Sequence, residues 1–131
     1  MQWHFQSDQP IYLQIIDHLK AAIICGIYPP GSRLPSIRDL SMEAGVNPNT
    51  LQRALSVLES EKLLETQRTT GKTVTSDAAR IAQLRMSYSD DILAACISKL
   101  KSLGFSEAEI AESFESHIHS HNVLGKEPNH E

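Results

Sequence analysis

Residues 34–58 read LPSIRDLSMEAGVNPNTLQRALSVL, and this stretch decides the fold. Ser36 and Asn47 are residue types that cap helix N-termini, and Pro48 suits the first helical position after Asn47. A short turn containing Gly45 lies between the two capped segments. Apolar residues recur at helical spacing along the second segment, at Leu51, Ala54, Leu55 and Leu58. Two helices joined by a short glycine-containing turn predict a helix-turn-helix, with the second helix ending near Lys62.

The upstream residues extend this pattern by one helix. Pro10 and Gly26 bound a segment with helical period, which predicts a helix over about 11–25. Residues 28–32 are rich in proline and glycine and predict a turn, followed by a very short strand at Arg33 and Leu34. We therefore expect three helices before the strand-like segments that begin at residue 63.

Two strand-like segments follow, at residues 63–67 and 72–75, on either side of residues 68–71. Both are rich in Thr, Val and Leu, and Gly71 favours a hairpin turn between them. A β-hairpin after a helix-turn-helix is a wing. The sequence thus predicts a winged helix-turn-helix domain over residues 1–76.

Residues 77–131 have only helical character. An apolar stripe predicts a long helix over about 77–103, with a break near residues 89–91, and Gly104 ends it. Ser106 and Glu109 form a capping box for a further helix, and the tail from Asn122 is expected to fray. The expected fold class is mainly α with a small β-hairpin wing, completed by a C-terminal two-helix arm.

About 55 residues after the wing are too few for a separate ligand-binding domain. Two amphipathic helices that cannot bury their apolar stripes alone should pair with a second copy, so residues 77–131 are predicted to be a dimerisation arm. The residues expected in its interface are Leu84, Tyr88, Ile92, Cys96, Leu100, Leu103, Ile110 and Phe114.

Charge is unevenly distributed along the chain, whose formal net charge is −4. Residues 1–75 contain seven Lys/Arg and seven Asp/Glu, whereas residues 76–131 contain five and nine. Any DNA-binding face must therefore be a local patch on the neutral N-terminal part, and the acidic arm should stay off DNA.

The composition also bears on location and redox state. No apolar run approaches the ~20 residues of a membrane span, and the N-terminal residues lack the apolar stretch of a signal peptide, so a cytoplasmic protein without a membrane partner is expected. Cys25 and Cys96 have apolar sequence neighbours, which favours two reduced, buried thiols over a redox switch.

Several ordered motifs resemble the GntR family of winged-helix regulators. They are PPGSRLPSIRDL at 29–40, GVNPNTLQRAL at 45–55, LESEKLL at 58–64, and then Gly71 and Val74, so the resemblance covers about residues 10–76. It implies DNA contacts by Arg38, Asn47, Asn49, Thr50 and the wing residue Gly71.

The resemblance is strongest to one branch of that family. Pro48 and Gln52 stand where longer members with effector domains often carry Arg, and the Asn-Pro-Asn-Thr version is similar to the short YtrA-like subfamily. This subfamily resemblance implies neighbouring genes for an ABC transporter.

Physical chemistry indicates further DNA contacts. Helix N-termini attract phosphate, so Ser36 and Asn47 mark two candidate phosphate sites. Gln52 and Arg53 lie early on the second helix of the pair, where such side chains can make bidentate contacts to bases. Lys72 lies beside Gly71 and is the candidate cation of the wing.

The predicted function is that of a homodimeric repressor of its own operon, which binds a palindromic operator in double-stranded DNA and needs no cofactor. One alternative is a winged helix that serves only protein–protein contact. A minor alternative is a regulator that responds to a metal or a small ligand, since His117 and His121 have metal-binding spacing. A solvated, polar helix end is the favoured explanation of these histidines. No nucleophile elbow, phosphate loop or paired metal motif indicates an enzyme.

Overall fold

A computed structural model describes residues 3–68 and 71–125, except for the side chains of residues 121–125. In chain order its elements are α1 (Ile11–Ile24), α2 (Ile37–Ala44), α3 (Pro48–Ser60), β1 (Leu64–Gln67), β2 (Gly71–Val74), α4 (Ala78–Ser102) and α5 (Glu107–Gly125). The two strands pair antiparallel. A mainly helical chain with one hairpin after a helix-turn-helix confirms the predicted fold class.

The core of the winged helix forms where α1, α2 and α3 meet the base of the hairpin. The apolar positions predicted for α3 are all buried, because their three- and four-residue spacing places them on one face of that helix. The large side chains with less than 2% exposure are Ile15, Leu19, Leu40, Leu51, Leu55, Leu58, Leu63, Leu64 and Val74. Burial of this set positions the exposed face of α3.

Four helices end in the same way. After each of α1, α2, α3 and α4, one residue adopts a positive φ, and the next residue donates its N–H to the carbonyl five residues earlier. These left-handed residues are Gly26, Gly45, Lys62 and Gly104. Three are glycines, as the helix ends predicted from the sequence require. Lys62, with a φ of 66°, is the exception among the described residues.

The wing is short and is anchored on one edge. β1 and β2 pair from Leu64 with Val74 to Gln67 with Gly71. The other edge of β2 is held by the segment before α2: the N–H of Leu34 donates to the carbonyl of Lys72 over 2.9 Å, and Arg33 forms an isolated bridge with Thr73. The short strand expected at Arg33 and Leu34 is thus confirmed as a bridge, while residues 69–70 of the predicted turn lie outside the described residues.

The N-terminal segment packs on α1 through aromatic rings. Trp3 stacks on His18 with ring centroids 3.9 Å apart, and its Nε1 donates to Glu43 Oε2 over 3.1 Å. His18 Nε2 is buried and has no hydrogen-bond partner among the described residues. Burial is the main cause that lowers the pKa of His18, while the nearby Glu43 carboxylate opposes the shift. Burial, with Glu43 nearby, raises the pKa of Tyr28.

The chain divides into two compact units, Met1–Met86 and Ser87–Glu131, and the division falls inside α4. In the first unit, Arg80 donates from Nε and Nη2 to the carbonyl of Glu61 over 3.1 and 3.0 Å, and Leu84 is buried. The start of α4 is therefore bonded to the winged helix. The boundary predicted at residue 76 stays a prediction.

The second unit contains the remainder of α4 and α5. Reciprocal bonds between Ser106 and Glu109 confirm the predicted capping box, and Lys101 pairs with Glu107 at 2.9 Å. The break expected near residues 89–91 is wrong, because α4 is continuous there. Fraying was expected from Asn122, but α5 continues to Gly125; residues 126–131 lie outside the described part of the chain.

Candidate nucleic-acid interface

Two helix N-termini define the candidate site, and the sequence predicted both. Ser36 Oγ accepts the N–H of Asp39 over 3.0 Å at the start of α2. Asn47 Oδ1 accepts the N–H of Asn49 over 2.7 Å at the start of α3, with Pro48 at the first helical position. Both capping residues are exposed. Each therefore satisfies one of the backbone donors that a helix start leaves without an intrahelical partner.

The first turns of α3 present a polar surface beside these caps. Asn49 and Gln52 are exposed, and Thr50 is half-buried. Arg38 is exposed on the first turn of α2. These side chains can reach base edges or phosphates without disturbing the core, since the apolar positions of α3 are on its opposite face.

Arg53 has a partner within the chain. Its guanidinium carbon lies 3.7 Å from the centroid of the Tyr12 ring on α1, in cation–π geometry. Arg53 is exposed, so its outer nitrogens can still meet DNA. The stack fixes its position relative to α1, which the spacing of residues along α3 did not indicate.

The wing contributes Gly71 and Lys72. Gly71 opens β2 with a φ of 83°, and the space where a Cβ would lie is empty. A substitution there would meet backbone strain rather than a clash. Lys72, the candidate cation of the wing, has partners within the chain. Its Nζ lies 2.8 Å from Glu59 Oε1 and 2.9 Å from Thr66 Oγ1.

Glu59 is the residue that sequence reasoning missed. It lies in the last turn of α3, and its second carboxylate oxygen accepts the hydroxyl of Thr66. The hydrogen bonds from Lys72 and Thr66, in that order, lower the pKa of Glu59. Glu59 lies within the motif at 58–64, but that motif does not reveal its partners, because they are fixed by the register of the hairpin and by its packing on α3.

A cleft joins the wing to the start of α2. It has a volume of about 280 Å³ and lies among residues 33–37 on one side and Thr66, Gly71 and Lys72 on the other. The predicted contacts Ser36, Gly71 and Lys72 therefore share one concave surface. Asn47 caps α3, and Asn49, Thr50 and Gln52 lie on its first turns.

The predicted dimerisation residues fall into two groups. Leu84 and Ile110 are buried within one chain, with 5% and 4% exposure, so they have little surface to offer a partner. The other six remain a prediction: Ile92, Cys96 and Leu103 are exposed, and Tyr88, Leu100 and Phe114 are half-buried.

Two further expectations concern cysteine and histidine. Cys25 and Cys96 are exposed, so the expectation of buried thiols is wrong. Apolar neighbours in sequence do not place a side chain on the covered face of a helix. His117 Nδ1 lies 2.9 Å from the carbonyl of Ser113, while the side chain of His121 lies outside the described residues. Within the described part of the chain, no three His, Cys, Asp or Glu side chains cluster as metal ligands.

Membrane insertion is not indicated by the helices. Over residues 3–68 and 71–125, no helix combines the length and apolarity needed to cross a bilayer.

Comparison with known proteins agrees with this geometry. The family model described as "Bacterial regulatory proteins, gntR family" matches residues 11–74. YhcF of Bacillus subtilis, an uncharacterized HTH-type transcriptional regulator, is 33% identical over 116 residues, which are 88% of this chain and 96% of YhcF. The HTH-type transcriptional repressor YtrA of the same species is 41% identical over 73 residues, 56% of each chain.

Solved structures give the same result. A GntR family transcriptional regulator from Listeria monocytogenes superposes with a TM-score of 0.81 at 35% identity, covering 86% of this chain and 98% of that one. The AraR DNA-binding domain, in complex with operator ORX1, superposes with a TM-score of 0.53 at 25% identity, covering 57% of this chain and 96% of that one. This chain therefore belongs to the GntR family of DNA-binding bacterial transcriptional regulators, with the YtrA repressor among its relatives.

Proposed function

We propose that this protein is a homodimeric, cytoplasmic repressor that binds a palindromic operator upstream of its own operon. The observation that carries the proposal is the polar surface formed by Arg38, Asn47, Asn49, Thr50 and Gln52 beside two capped helix N-termini. Such a surface suits phosphate oxygens and base edges. Occupancy of the operator would exclude RNA polymerase. The name of the relative YtrA, a transcriptional repressor, supports the direction of regulation.

A second copy is needed because the surface of one copy offers few contacts to DNA. The first 75 residues carry no net charge, so one copy lacks the general electrostatic attraction on which most DNA affinity depends. Two copies related by a two-fold axis would present two α3 helices to two half-sites.

The second unit supports pairing because it leaves apolar side chains uncovered. Ile92 and Leu103 are 65% and 64% exposed, and Ile118 is 62% exposed. An apolar groove of about 380 Å³ runs beside Ile97, Ile110 and Phe114. Burial of such side chains against a second arm would stabilise the dimer by about 25 cal/mol per Å² of apolar surface removed from water.

Footprinting of DNA upstream of the protein's own gene tests the DNA-binding part. We expect protection of an inverted repeat, with affinity that falls steeply as salt rises. The double variant Arg38→Ala/Thr50→Ala should lose this protection while sedimentation equilibrium still shows a dimer. If the double variant binds DNA normally, the proposed face is wrong. If the unaltered protein protects no DNA, a winged helix that serves only protein–protein contact becomes the better explanation.

Sedimentation equilibrium also tests the arm. Leu103→Asp should shift the protein to monomers, since it would place a carboxylate in the proposed interface. Met42→Asp is the matched control, because Met42 is 72% exposed in the first unit. A dimer that survives Leu103→Asp would place the interface elsewhere.

A further inference from the structure

Glu59, Thr66 and Lys72 form a closed triangle of hydrogen bonds, which we call the wing clasp. Lys72 Nζ donates to Glu59 Oε1 over 2.8 Å and to Thr66 Oγ1 over 2.9 Å, and the Thr66 hydroxyl donates to Glu59 Oε2. Thr66 and Lys72 are cross-strand partners in the hairpin, whereas Glu59 belongs to α3. The wing clasp therefore ties both strands of the wing to the end of α3.

The ion pair within the wing clasp neutralises the charge of Lys72. Only 15% of the Lys72 side chain is exposed, against 37% of the Glu59 side chain. Both carboxylate oxygens of Glu59 accept hydrogen bonds, and two of the three ammonium donors of Lys72 are engaged. An ammonium neutralised in this way offers a phosphate little net attraction, and withdrawing it would leave Glu59 without its cation.

The wing clasp also completes the attachment of β2. On one edge, backbone bonds from Leu34 to Lys72 and from Val74 to Ser32 hold this strand to the segment before α2. The side chain of Lys72 holds the same strand to α3. Gly71 thereby receives a fixed position relative to both helices of the helix-turn-helix.

We infer that Lys72 is a positioning residue of the DNA-binding surface, which acts with Glu59 and Thr66 to set the angle of the wing against α3 rather than contacting a phosphate. This inference deepens the proposed function and rests on it. The wing and the first turn of α3 must reach DNA together. A wing free to tilt spends part of its time in orientations that cannot bind, and the apparent affinity falls by that fraction.

The two roles of Lys72 predict opposite effects at Glu59. If Lys72 contacted a phosphate, removing the competing Glu59 carboxylate would leave operator affinity unchanged or raise it. If Lys72 positions the wing, removing Glu59 weakens operator binding although it deletes a negative charge near DNA.

The experiment measures the affinity of a labelled duplex from the region upstream of the protein's own gene at several salt concentrations. The variants are Lys72→Met and Glu59→Met, together with the milder Thr66→Val, which keeps both charges. We expect each to weaken binding by roughly five- to twentyfold. The Lys72→Met/Glu59→Met double variant should lose no more than the single variants, because all act on one unit.

The salt dependence separates positioning from phosphate binding. Lys72→Met should keep the slope of log affinity against log salt. Arg38→Met, which removes an exposed cation of the proposed DNA-binding face, is the comparison and should reduce this slope by about 0.9 for each phosphate that is no longer neutralised. Amide hydrogen exchange of residues 71–74 should quicken in all three clasp variants, a readout that needs no DNA.

Two results of the DNA-binding measurements would overturn the inference: a reduced salt slope in Lys72→Met, or unchanged or tighter binding by Glu59→Met. Failure of the proposed function is distinguishable from failure of this inference, since the unaltered protein would then protect no DNA upstream of its gene. The exchange measurement still tests the wing clasp in that case. Unchanged exchange of the wing amides in Thr66→Val and Lys72→Met would refute it.

Discussion

The end of α3 offers a direct test of how the fold is stabilised, through the substitution Lys62→Gly. Lys62 has a φ of 66°, and the N–H of Leu63 donates to the carbonyl of Leu58 over 3.0 Å. A left-handed conformation costs a residue with a side chain about 1–2 kcal/mol. The greater freedom of glycine in the unfolded chain costs about 0.4–1 kcal/mol. The difference predicts that Lys62→Gly stabilises the folded chain by about 1 kcal/mol.

That gain corresponds to a rise in melting temperature of roughly 4–8 °C for a unit of this size. Thermal and urea unfolding followed by circular dichroism, at one fixed protein concentration, would measure it. Lys62→Ala is the matched control, because it removes most of the side chain but keeps the Cβ that makes the conformation costly. The explanation fails if Lys62→Gly gives no gain, or if Lys62→Ala stabilises the protein as much.

Two further predictions concern the first unit. Because the pKa of His18 is lowered in the folded chain, the unfolded chain binds the proton first as pH falls, and the free energy of unfolding should decrease below the ordinary pKa of 6.5. His18→Phe should reduce this loss, measured by urea unfolding followed through the fluorescence of Trp3, the single tryptophan. Equal pH dependence of the two proteins would contradict the prediction. Arg80→Met should destabilise the chain by about 1–2 kcal/mol, because the carbonyl of Glu61 loses a charged donor. The exposed Arg85 on the same helix is the control, and equal melting temperatures for Arg80→Met and Arg85→Met would show that the bond adds nothing.

The sequence predicts helix boundaries well where a residue type has a strong conformational preference. Gly26, Gly45 and Gly104 each take the left-handed position at which the pattern predicts a helix end. At α3 the predicted end near Lys62 depends only on the loss of apolar periodicity. Lysine has no preference for a positive φ, so the left-handed conformation could not be foreseen there.

The roles of side chains are harder to predict because they depend on which elements pack together. The position of Lys72 beside Gly71 predicts a DNA-facing cation, yet the pairing of Thr66 with Lys72 and the approach of α3 provide Glu59 as its partner. Cys96 has apolar neighbours in sequence but lies exposed, since the sequence of a helix does not specify what covers each of its faces. Long-range packing decides both cases.

The engagement of Lys72 with Glu59 makes the case for a dimer stronger. The neutral first 75 residues already offer little general attraction for DNA, and this pairing removes a charge that the sequence had assigned to the wing. In the proposed interface, affinity then comes from Arg38, from the polar start of α3 and from two helix N-termini, each of which contributes modestly. Contacts to base edges discriminate between sequences, whereas contacts to phosphate position the protein on DNA and add affinity that one copy supplies only weakly. Two copies held at a fixed spacing would raise the affinity through effective concentration and keep that discrimination, which is the part the uncovered apolar arm is proposed to play.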